Sequence, residues 1–238
     1  MILNIVATPI GNLKDITLRG KEVLEQATLI LAEDTRSIKK LLSLLEIRYE
    51  GKHFISSHAQ STPGALHKAL EGCVGHEVIA LVTDAGTPAI SDPGSLFIHE
   101  FRRMYPESPV VPIPGVSAVV TALSVSGFPG NHFEFIGFVP HKKGRQTLFA
   151  RIVLTEHTVV MYESPHRLIK TLESLAPLLR ERPVMIGREM TKSFEEYPVS
   201  TAKELLEYYT QHSDKVRGEF VIVIAPSYHG PTTSDTIE

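Results

Sequence analysis

Residues 78–94 read VIALVTDAGTPAISDPG, and this stretch changes character halfway along. It opens with an apolar run, Val78 to Val82, that is typical of a strand buried on both faces of a sheet. It then breaks into small residues, prolines and two aspartates, Asp84 and Asp92. In an open α/β sheet, ligands bind outside the carboxyl ends of the strands. The stretch therefore predicts a buried strand that delivers a ligand-binding loop.

The same alternation of strand and helix extends outward through the first half of the chain. Strands are predicted at 3–8, 29–34, 53–57, 78–83 and 109–114, with helices at 15–27, 35–47, 62–74 and 94–105. Strands that alternate with helices of about 10–15 residues indicate a mainly parallel, doubly wound sheet.

The second half of the chain has a different pattern of apolar and polar residues, which predicts a mixed sheet with helices. Its strands are expected at 133–140, 158–164, 183–190 and 218–226, and its helices at 144–155, 165–180 and 201–211. The fold class is thus two α/β domains, which we place at 1–113 and 114–226. The polar tail, 227–238, is predicted to be disordered.

Composition limits the classes of function. Hydrophobic residues make up 42% of 238 residues, which is enough for a sizeable core. The formal net charge of −3 argues against a protein that binds nucleic acid over its whole surface, but it is compatible with a local basic patch. Cys73 is the single cysteine, so no disulfide framework can form within the chain. The apolar run at the N-terminus of the chain is too short for a signal peptide or a membrane span, so we expect a cytoplasmic protein.

Several familiar catalytic signatures do not occur. The sequence contains no Walker phosphate loop, no G-x-G-x-x-G turn, no H-E-x-x-H and no G-x-S-x-G. Its eleven histidines are scattered without metal-ligand spacing, so no metal site is predicted.

Three loops rich in small residues remain as the functional signal. They read ATPIGNL at 7–13, TDAGTPAISDPG at 83–94 and PIPGVSA at 112–118, each after a predicted strand. Small residues let backbone amides and carbonyls approach a ligand closely. Any one of these loops could be only a tight turn. Together they favour a shared ligand-binding crevice.

These motifs, with LAEDTR, GFVP and YESPHR, resemble the tetrapyrrole methylase superfamily of class III S-adenosylmethionine-dependent methyltransferases. More narrowly, TPIGNL and DAGTPAISDPG resemble the branch that methylates the 2′-hydroxyl of a cytidine ribose in 16S rRNA of the small ribosomal subunit. The resemblance extends from residue 1 to about residue 226. It implies two α/β domains with the cofactor in the cleft between them, and a homodimer.

The resemblance also implies a set of cofactor contacts and explains the opening stretch. The loop after the fourth strand would hold the cofactor largely through its main chain, where a larger side chain would collide. The implied contacts are Pro9, Ala85, Gly86, Thr87, Ile90, Ser117, Ala118, Glu163 and Met190.

Transfer of a methyl group from a sulfonium is an in-line displacement that requires alignment and exclusion of water. A sugar hydroxyl is a poor nucleophile, so a general base would help. AEDTR offers Asp34 as base or orienting group and Arg36 as a phosphate contact. The alternative for Asp34 is the acidic start of a helix. Asp84 and Asp92 could be catalytic or could stabilise turns.

Two further charged clusters follow strands of the second half. YESPHR offers Glu163 as a catalytic residue, with His166 and Arg167 as RNA contacts. REMTK offers Glu189 and Lys192 for catalysis and Arg188 for RNA, because three charges follow an apolar strand.

The clearest basic patch is HKKGRQ, where Lys142, Lys143 and Arg145 suit phosphate contacts. The alternative is a solvated loop with ordinary charges. The branch usually carries a histidine- and asparagine-rich run after the third strand. Here only His58 of SSHAQST matches it, as a further RNA contact.

The leading hypothesis is a ribosomal RNA 2′-O-methyltransferase that uses S-adenosylmethionine, acts on the small subunit and needs no metal. One alternative is a methyltransferase for a small tetrapyrrole or corrin, whose relatives favour a G-G-D-P loop where this chain has AGTP. A second alternative is a non-catalytic ribosome-assembly protein that binds the cofactor.

Overall fold

The computed structural model describes residues 1–56, 63–92 and 94–227 and divides the chain into two compact units. The first unit is 1–117 and the second starts at Ala118. The division falls four residues after the position expected from the sequence, because 114–117 packs on the first unit. A Cβ added to Gly115 would lie only 2.9 Å from the Cβ of Ala7.

The first unit is built on a parallel sheet with the strand order β3-β2-β4-β1-β5. Its strands are β1 (Ile2–Val6), β2 (Leu29–Ala32), β3 (His53–Ser56), β4 (Val78–Leu81) and β5 (Val110–Ile113). The continuous apolar runs of β2 and β4 are buried because one hydrophobic cluster lies on each face of the sheet. The predicted doubly wound α/β fold is confirmed for this half.

Four helices of the described residues cover this sheet: α1 (Leu18–Gln26), α2 (Thr35–Leu44), α3 (Pro63–Glu71) and α4 (Gly94–Met104). Helix α1 starts three residues later than predicted. Thr17 caps it, accepting a hydrogen bond from the Gly20 amide at 3.0 Å, and residues 13–15 form a short 3-10 turn.

The second unit contains the mixed sheet, in the order β6-β7-β10-β8-β9. Its strands are β6 (Phe133–Phe138), β7 (Thr158–Glu163), β8 (Pro183–Arg188), β9 (Val199–Thr201) and β10 (Phe220–Ile224). Strands β6 and β7 are parallel, and the remaining pairs are antiparallel. The predicted mixed sheet is confirmed.

Helices α5 (Ala118–Ser126), α6 (Arg145–Leu154), α7 (Pro165–Leu179) and α8 (Ala202–Gln211) belong to this unit. Helix α5 packs on β10 and β7 and was not predicted. Its sequence, AVVTALSVS, is nearly all small or apolar, so it lacks the polar face that marks an amphipathic helix. Among the residues that the structure covers, no helix has both the length and the apolar character to cross a membrane.

Candidate functional site

Three loops meet at the carboxyl edge of the first sheet: 7–12 after β1, 83–92 after β4 and 114–117 after β5. Strand β1 lies between β4 and β5, so the order of the sheet makes these loops neighbours. The Thr8 amide donates to the Gly86 carbonyl at 2.9 Å, and the Gly86 amide donates back to the Thr8 carbonyl at 3.0 Å. The first two loops are therefore joined like a small piece of antiparallel sheet.

Two threonine hydroxyls strengthen this assembly of loops. Thr8 is buried, and its Oγ1 donates towards the carbonyls of Thr83 at 3.2 Å and Gly86 at 3.4 Å. The Oγ1 of Thr87 donates to the Val116 carbonyl at 2.9 Å. The loop after β4 is consequently attached to both of its neighbours.

Gly86 is required by its backbone conformation as well as by its position. Its φ is +85°, in the left-handed region that residues with a Cβ occupy only at a cost. A neighbouring strained residue, Ala89, has φ +67° and is held by Asp92, whose Oδ2 accepts from the Ala89 amide at 2.8 Å. Asp92 Oδ1 also accepts from the Gly94 amide at 2.9 Å, so Asp92 stabilises the turn that leads into α4.

The charged residues after β2 lie beside the loop after β4. Helix α2 leads outward to β3, whereas α4 leads across β1 to β5, so the direction of the connections reverses between β2 and β4. Glu33 Oε2 accepts from Thr83 Oγ1 at 2.9 Å, and Asp84 Oδ1 accepts from the Asp34 amide at 3.2 Å. Glu33 was not singled out from the sequence; its position next to Asp34 at a strand end was the available signal.

Asp34 is the N-cap of α2, as the structural interpretation of AEDTR anticipates. Its Oδ1 accepts from the Arg36 amide at 2.8 Å, and its Oδ2 pairs with the Arg36 guanidinium at 2.7 Å. The hydrogen bond to Asp34 and the Asp34 charge raise the pKa of Arg36. The Arg36 side chain is 90% exposed, so it can reach solvent or a bound anion while it remains charged.

The expected cofactor contacts of the first unit share this edge. Ala85 is exposed, Ile90 is 49% exposed and Pro9, Thr87 and Ser117 are half-buried. Small residues, main-chain groups and an exposed apolar Ile90 fit a ligand that combines polar and apolar parts. The other expected contacts, Ala118, Glu163 and Met190, belong to the second unit.

In the second unit, Glu163 is at the centre of a buried ionic network. It is 1% exposed, and its Oε1 accepts from Arg167 and from the Ser164 amide, each at 2.8 Å. Its Oε2 accepts from Thr171 Oγ1 at 2.5 Å and lies 3.8 Å from Arg145 Nη1. Both carboxylate oxygens are thus occupied by the protein itself.

Arg145 does not occupy the position expected of an RNA contact. The residue is 6% exposed, and its guanidinium donates to Thr171 Oγ1 at 2.8 Å and to the Pro140 carbonyl at 3.4 Å. Burial lowers the pKa of Arg145, and the charge of Glu163 partly offsets that effect. Position 145 starts α6 and points inward, so the structure corrects the assignment of Arg145 to phosphate binding. Lys142 and Lys143 remain exposed.

Arg188 requires the same correction. It is 4% exposed, and its guanidinium donates to the main-chain carbonyls of Lys215 at 2.6 Å and Phe194 at 3.1 Å. Arg188 ends β8 with its side chain holding two loops together, so it is not available to a phosphate. His166 is exposed and Arg167 half-buried, while His58 lies outside the described residues.

Glu189 and Lys192 form a partly exposed ion pair in a strained loop. Glu189 and Thr191 have φ values of +50° and +66°. Lys192 Nζ bonds Glu189 Oε1 and Glu219 Oε2, each at 2.7 Å. Burial alone would raise the pKa of Glu189 and lower that of Lys192, but these bonds outweigh burial in both cases. The pKa of Glu189 is lowered and that of Lys192 raised, so both side chains are charged at neutral pH.

Met190 packs on the sheet of the second unit. The residue is 6% exposed, and a Cβ added to Gly187 would lie 2.7 Å from its sulfur. Gly187 therefore makes the space that Met190 occupies. Within the part of the chain that the structure describes, no group of three or more His, Cys, Asp or Glu side chains could hold a metal ion.

The fold and the three loops are those of a known protein family. A profile of the family Tetrapyrrole (Corrin/Porphyrin) Methylases matches residues 3–206. The chain belongs to this family, and the resemblance drawn from its sequence motifs is confirmed.

Within this family, the chain is similar to ribosomal RNA methyltransferases. The chain is 43% identical over 226 residues to Ribosomal RNA small subunit methyltransferase I of Neisseria meningitidis serogroup A, which covers 94% of this chain and 76% of that protein. It is 41% identical over 228 residues to the protein of the same name from Borrelia garinii subsp. bavariensis, covering 95% of this chain and 99% of that protein.

Solved structures agree with the fold. Uroporphyrin-III C-methyl transferase from Thermus thermophilus, solved in complex with S-adenyl homocysteine, superposes with a TM-score of 0.63 and 18% identity. The alignment covers 94% of this chain and 97% of that chain. At this identity the likeness concerns the fold alone.

Proposed function

We propose that this protein is an S-adenosylmethionine-dependent methyltransferase that modifies the 2′-hydroxyl of a cytidine ribose in 16S rRNA. The observation that carries the proposal is the set of three loops joined through Thr8, Gly86 and Thr87 at the carboxyl edge of the first sheet. Relatives named as ribosomal RNA small subunit methyltransferases support the acceptor. A tetrapyrrole methylase solved with S-adenyl homocysteine supports the donor.

The three loops would hold the cofactor mainly through main-chain groups and small side chains. Ala85 and Gly86 leave room for it, and Ile90 offers an apolar surface. When bound, S-adenosylmethionine supplies an electrophilic methyl group on a positively charged sulfur. The loops then have to orient the acceptor oxygen and exclude water, and their mutual hydrogen bonds suit that task.

Among the predicted catalytic carboxylates, Asp34 is the one we assign to proton transfer from the ribose hydroxyl. Glu163 has both oxygens engaged in a buried network, so we assign it to holding the end of β7. Glu189 and Lys192 are paired with each other, and Lys192 is a cation rather than a base. Asp34 lies at the same edge as the three loops.

Arg36 links Asp34 to the RNA substrate in this proposal. Their ion pair is exposed at the arginine end, so solvent and dissolved salt screen it there. A phosphate of the substrate would compete with Asp34 for the Arg36 guanidinium. The cap bond from the Arg36 amide would keep the carboxylate in place. Lys142, Lys143 and His166 supply further cationic or polar contacts for RNA.

The test measures transfer of labelled methyl from S-adenosylmethionine to purified small ribosomal subunits that lack the modification. Label on one ribose would support the proposal. Asp34→Asn keeps an N-cap acceptor and removes the base, so we expect kcat to fall by about 10²–10⁴ while cofactor affinity stays unchanged. An Asp34→Asn variant with full kcat would exclude Asp34 as the base.

Arg36→Gln should raise KM for the subunit, because it removes a phosphate contact. Arg19→Gln, an exposed arginine on α1, is the matched control and should leave KM unchanged. Cofactor binding with no label on RNA would instead favour a small tetrapyrrole acceptor or a binding protein without catalysis.

The proposal extends to the cellular location and the oligomeric state of the protein. We propose a cytoplasmic homodimer, as the family resemblance implies. Sedimentation of the purified protein tests the dimer: a single species of monomer mass at micromolar concentration would contradict it.

A further inference from the structure

An irregularity in the edge strand of the second sheet determines where one aromatic ring lies. On β6, Phe135 pairs with Val160 of β7, and Phe138 pairs with Tyr162. Three steps along β6 thus match two along β7, so β6 contains one extra residue, a β-bulge. Gly137 has φ +67° within this bulge. Bulges of this kind redirect the side chains that follow them.

The bulge places Phe138 beside Tyr162 with much of its ring in solvent. The ring centroids of Phe138 and Tyr162 lie 5.4 Å apart, and those of Phe135 and Tyr162 lie 4.9 Å apart. Phe138 is 57% exposed, whereas Phe135 and Tyr162 are half-buried. A supported aromatic ring is therefore presented to solvent at the end of an edge strand.

The basic loop begins directly after this ring and has a fixed base. Val139 is buried; its amide donates to the Tyr162 carbonyl at 3.4 Å, and its carbonyl accepts from Arg167 at 2.7 Å. Arg145 donates to the Pro140 carbonyl at 3.4 Å. The two buried or half-buried arginines thus hold the start of the loop, while Lys142 and Lys143 extend into solvent.

We propose that this surface, formed by Phe138, Lys142 and Lys143, binds a single-stranded segment of the RNA substrate. Phe138 stacks on one base, and the two lysines contact phosphates next to it. The inference rests on the proposed function and adds to it the element that captures unpaired RNA. An aromatic ring beside a cationic loop is the combination by which proteins bind single strands. Lys142 and Lys143 follow the ring by four and five residues, so they concentrate positive charge on this segment of a chain whose net charge is −3, as binding of a polyanion requires.

The test uses fluorescence anisotropy with a labelled oligocytidine of about 12 nucleotides, within the range that a single-strand site covers. Phe138→Ala should weaken binding by roughly 5- to 150-fold, which is the 1–3 kcal/mol found for loss of a stacking ring. Phe138→Trp should retain affinity because it keeps a ring. Phe138→Leu should behave like Phe138→Ala, since an apolar side chain without a π-face cannot stack.

The lysines should produce a different signature. Replacing Lys142 and Lys143 with glutamine removes two phosphate contacts, so the slope of log Kd against log salt should fall by about 1.4. Phe138→Ala should leave that slope unchanged, because stacking releases no counterions. Phe133→Ala is the matched control: Phe133 starts the same strand, is 36% exposed and lies about 16 Å from Phe138 along it.

Several results would overturn the inference. Unchanged affinity in Phe138→Ala, equal loss in Phe133→Ala, or no binding of oligocytidine by the unmodified protein would each do so. A change from dimer to monomer in Phe138→Ala, with RNA affinity retained, would identify the ring as a contact between copies of the chain. Methyl transfer to small subunits by the unmodified protein, assayed in parallel, separates failure of this inference from failure of the proposed function.

Discussion

Replacing Gly86 with alanine tests the central loop of the candidate site. The added Cβ would lie 3.4 Å from Ile10 Cγ2 and 3.7 Å from the Val116 carbonyl oxygen, which are ordinary van der Waals distances. The protein itself therefore has room for the methyl group. The cost inside the protein comes from the backbone, because φ at this position is +85°.

A non-glycine residue in the left-handed region costs roughly 1–2 kcal/mol. For a chain of this size, that loss lowers the melting temperature by about 2–8 °C. The same strain acts on the paired hydrogen bonds between Gly86 and Thr8 that join two of the loops. If the loop contacts the cofactor as we propose, the new methyl group also occupies part of its space.

We therefore expect Gly86→Ala to raise the Kd for S-adenosylmethionine at least about tenfold, equivalent to 1.4 kcal/mol. Isothermal titration calorimetry measures Kd, and thermal unfolding measures the loss of stability. Gly51→Ala provides a matched control, because Gly51 also has φ +85° and a Cβ there would contact nothing within 4 Å. It should lose similar stability and bind the cofactor normally. Equal cofactor affinity in the two variants would refute the reasoning.

Three further predictions concern other parts of the chain. Gly187→Ala should displace the buried side chain of Met190, since the new Cβ would lie 2.7 Å from its sulfur, and should lower the melting temperature; an unchanged melting temperature in thermal unfolding would contradict tight packing at this position. Burial raises the pKa of Cys73 to about 12, so a thiol reagent at neutral pH should label the folded protein negligibly and label one thiol after denaturation, whereas rapid labelling of the native protein would contradict its burial. The pKa of Glu189 lies below the ordinary 4.5 because the bonds from Lys192 and the Glu219 amide outweigh burial. Its contribution to stability is therefore present above pH 4.5 and is lost as the pH falls through the folded value. Urea unfolding over this acidic range should show a weaker pH dependence in Glu189→Gln than in the unmodified protein, and equal slopes would argue against the ion pair.

Much of the fold was predictable because its signals are local. The apolar runs of β2 and β4 and the caps of α1 and α2 depend on residues close together in the chain. The motifs after β1, β4 and β5 marked the loops for the same reason. Helix α5 was missed because AVVTALSVS has no polar face to reveal its period.

The roles of the charged residues depended on contacts between distant positions. Arg145 and Thr171 are 26 residues apart, and Thr83 reaches Glu33 across 50 residues. A basic motif predicts positive charges, but it does not predict which of the charged side chains become buried in the folded protein. HKKGRQ therefore contains two exposed lysines and one arginine that is buried against Glu163.

The order of residues along this chain was sufficient for the α/β class, the small-residue loops and the family, because periodicity and short motifs lie within a few residues. The tertiary structure was needed to join Thr8 to Gly86, to bury Glu163 between two arginines and to expose Phe138 at a bulge. These features arise from hydrogen bonds and burial between segments far apart in sequence, where desolvation decides which charges stay inside and which reach solvent.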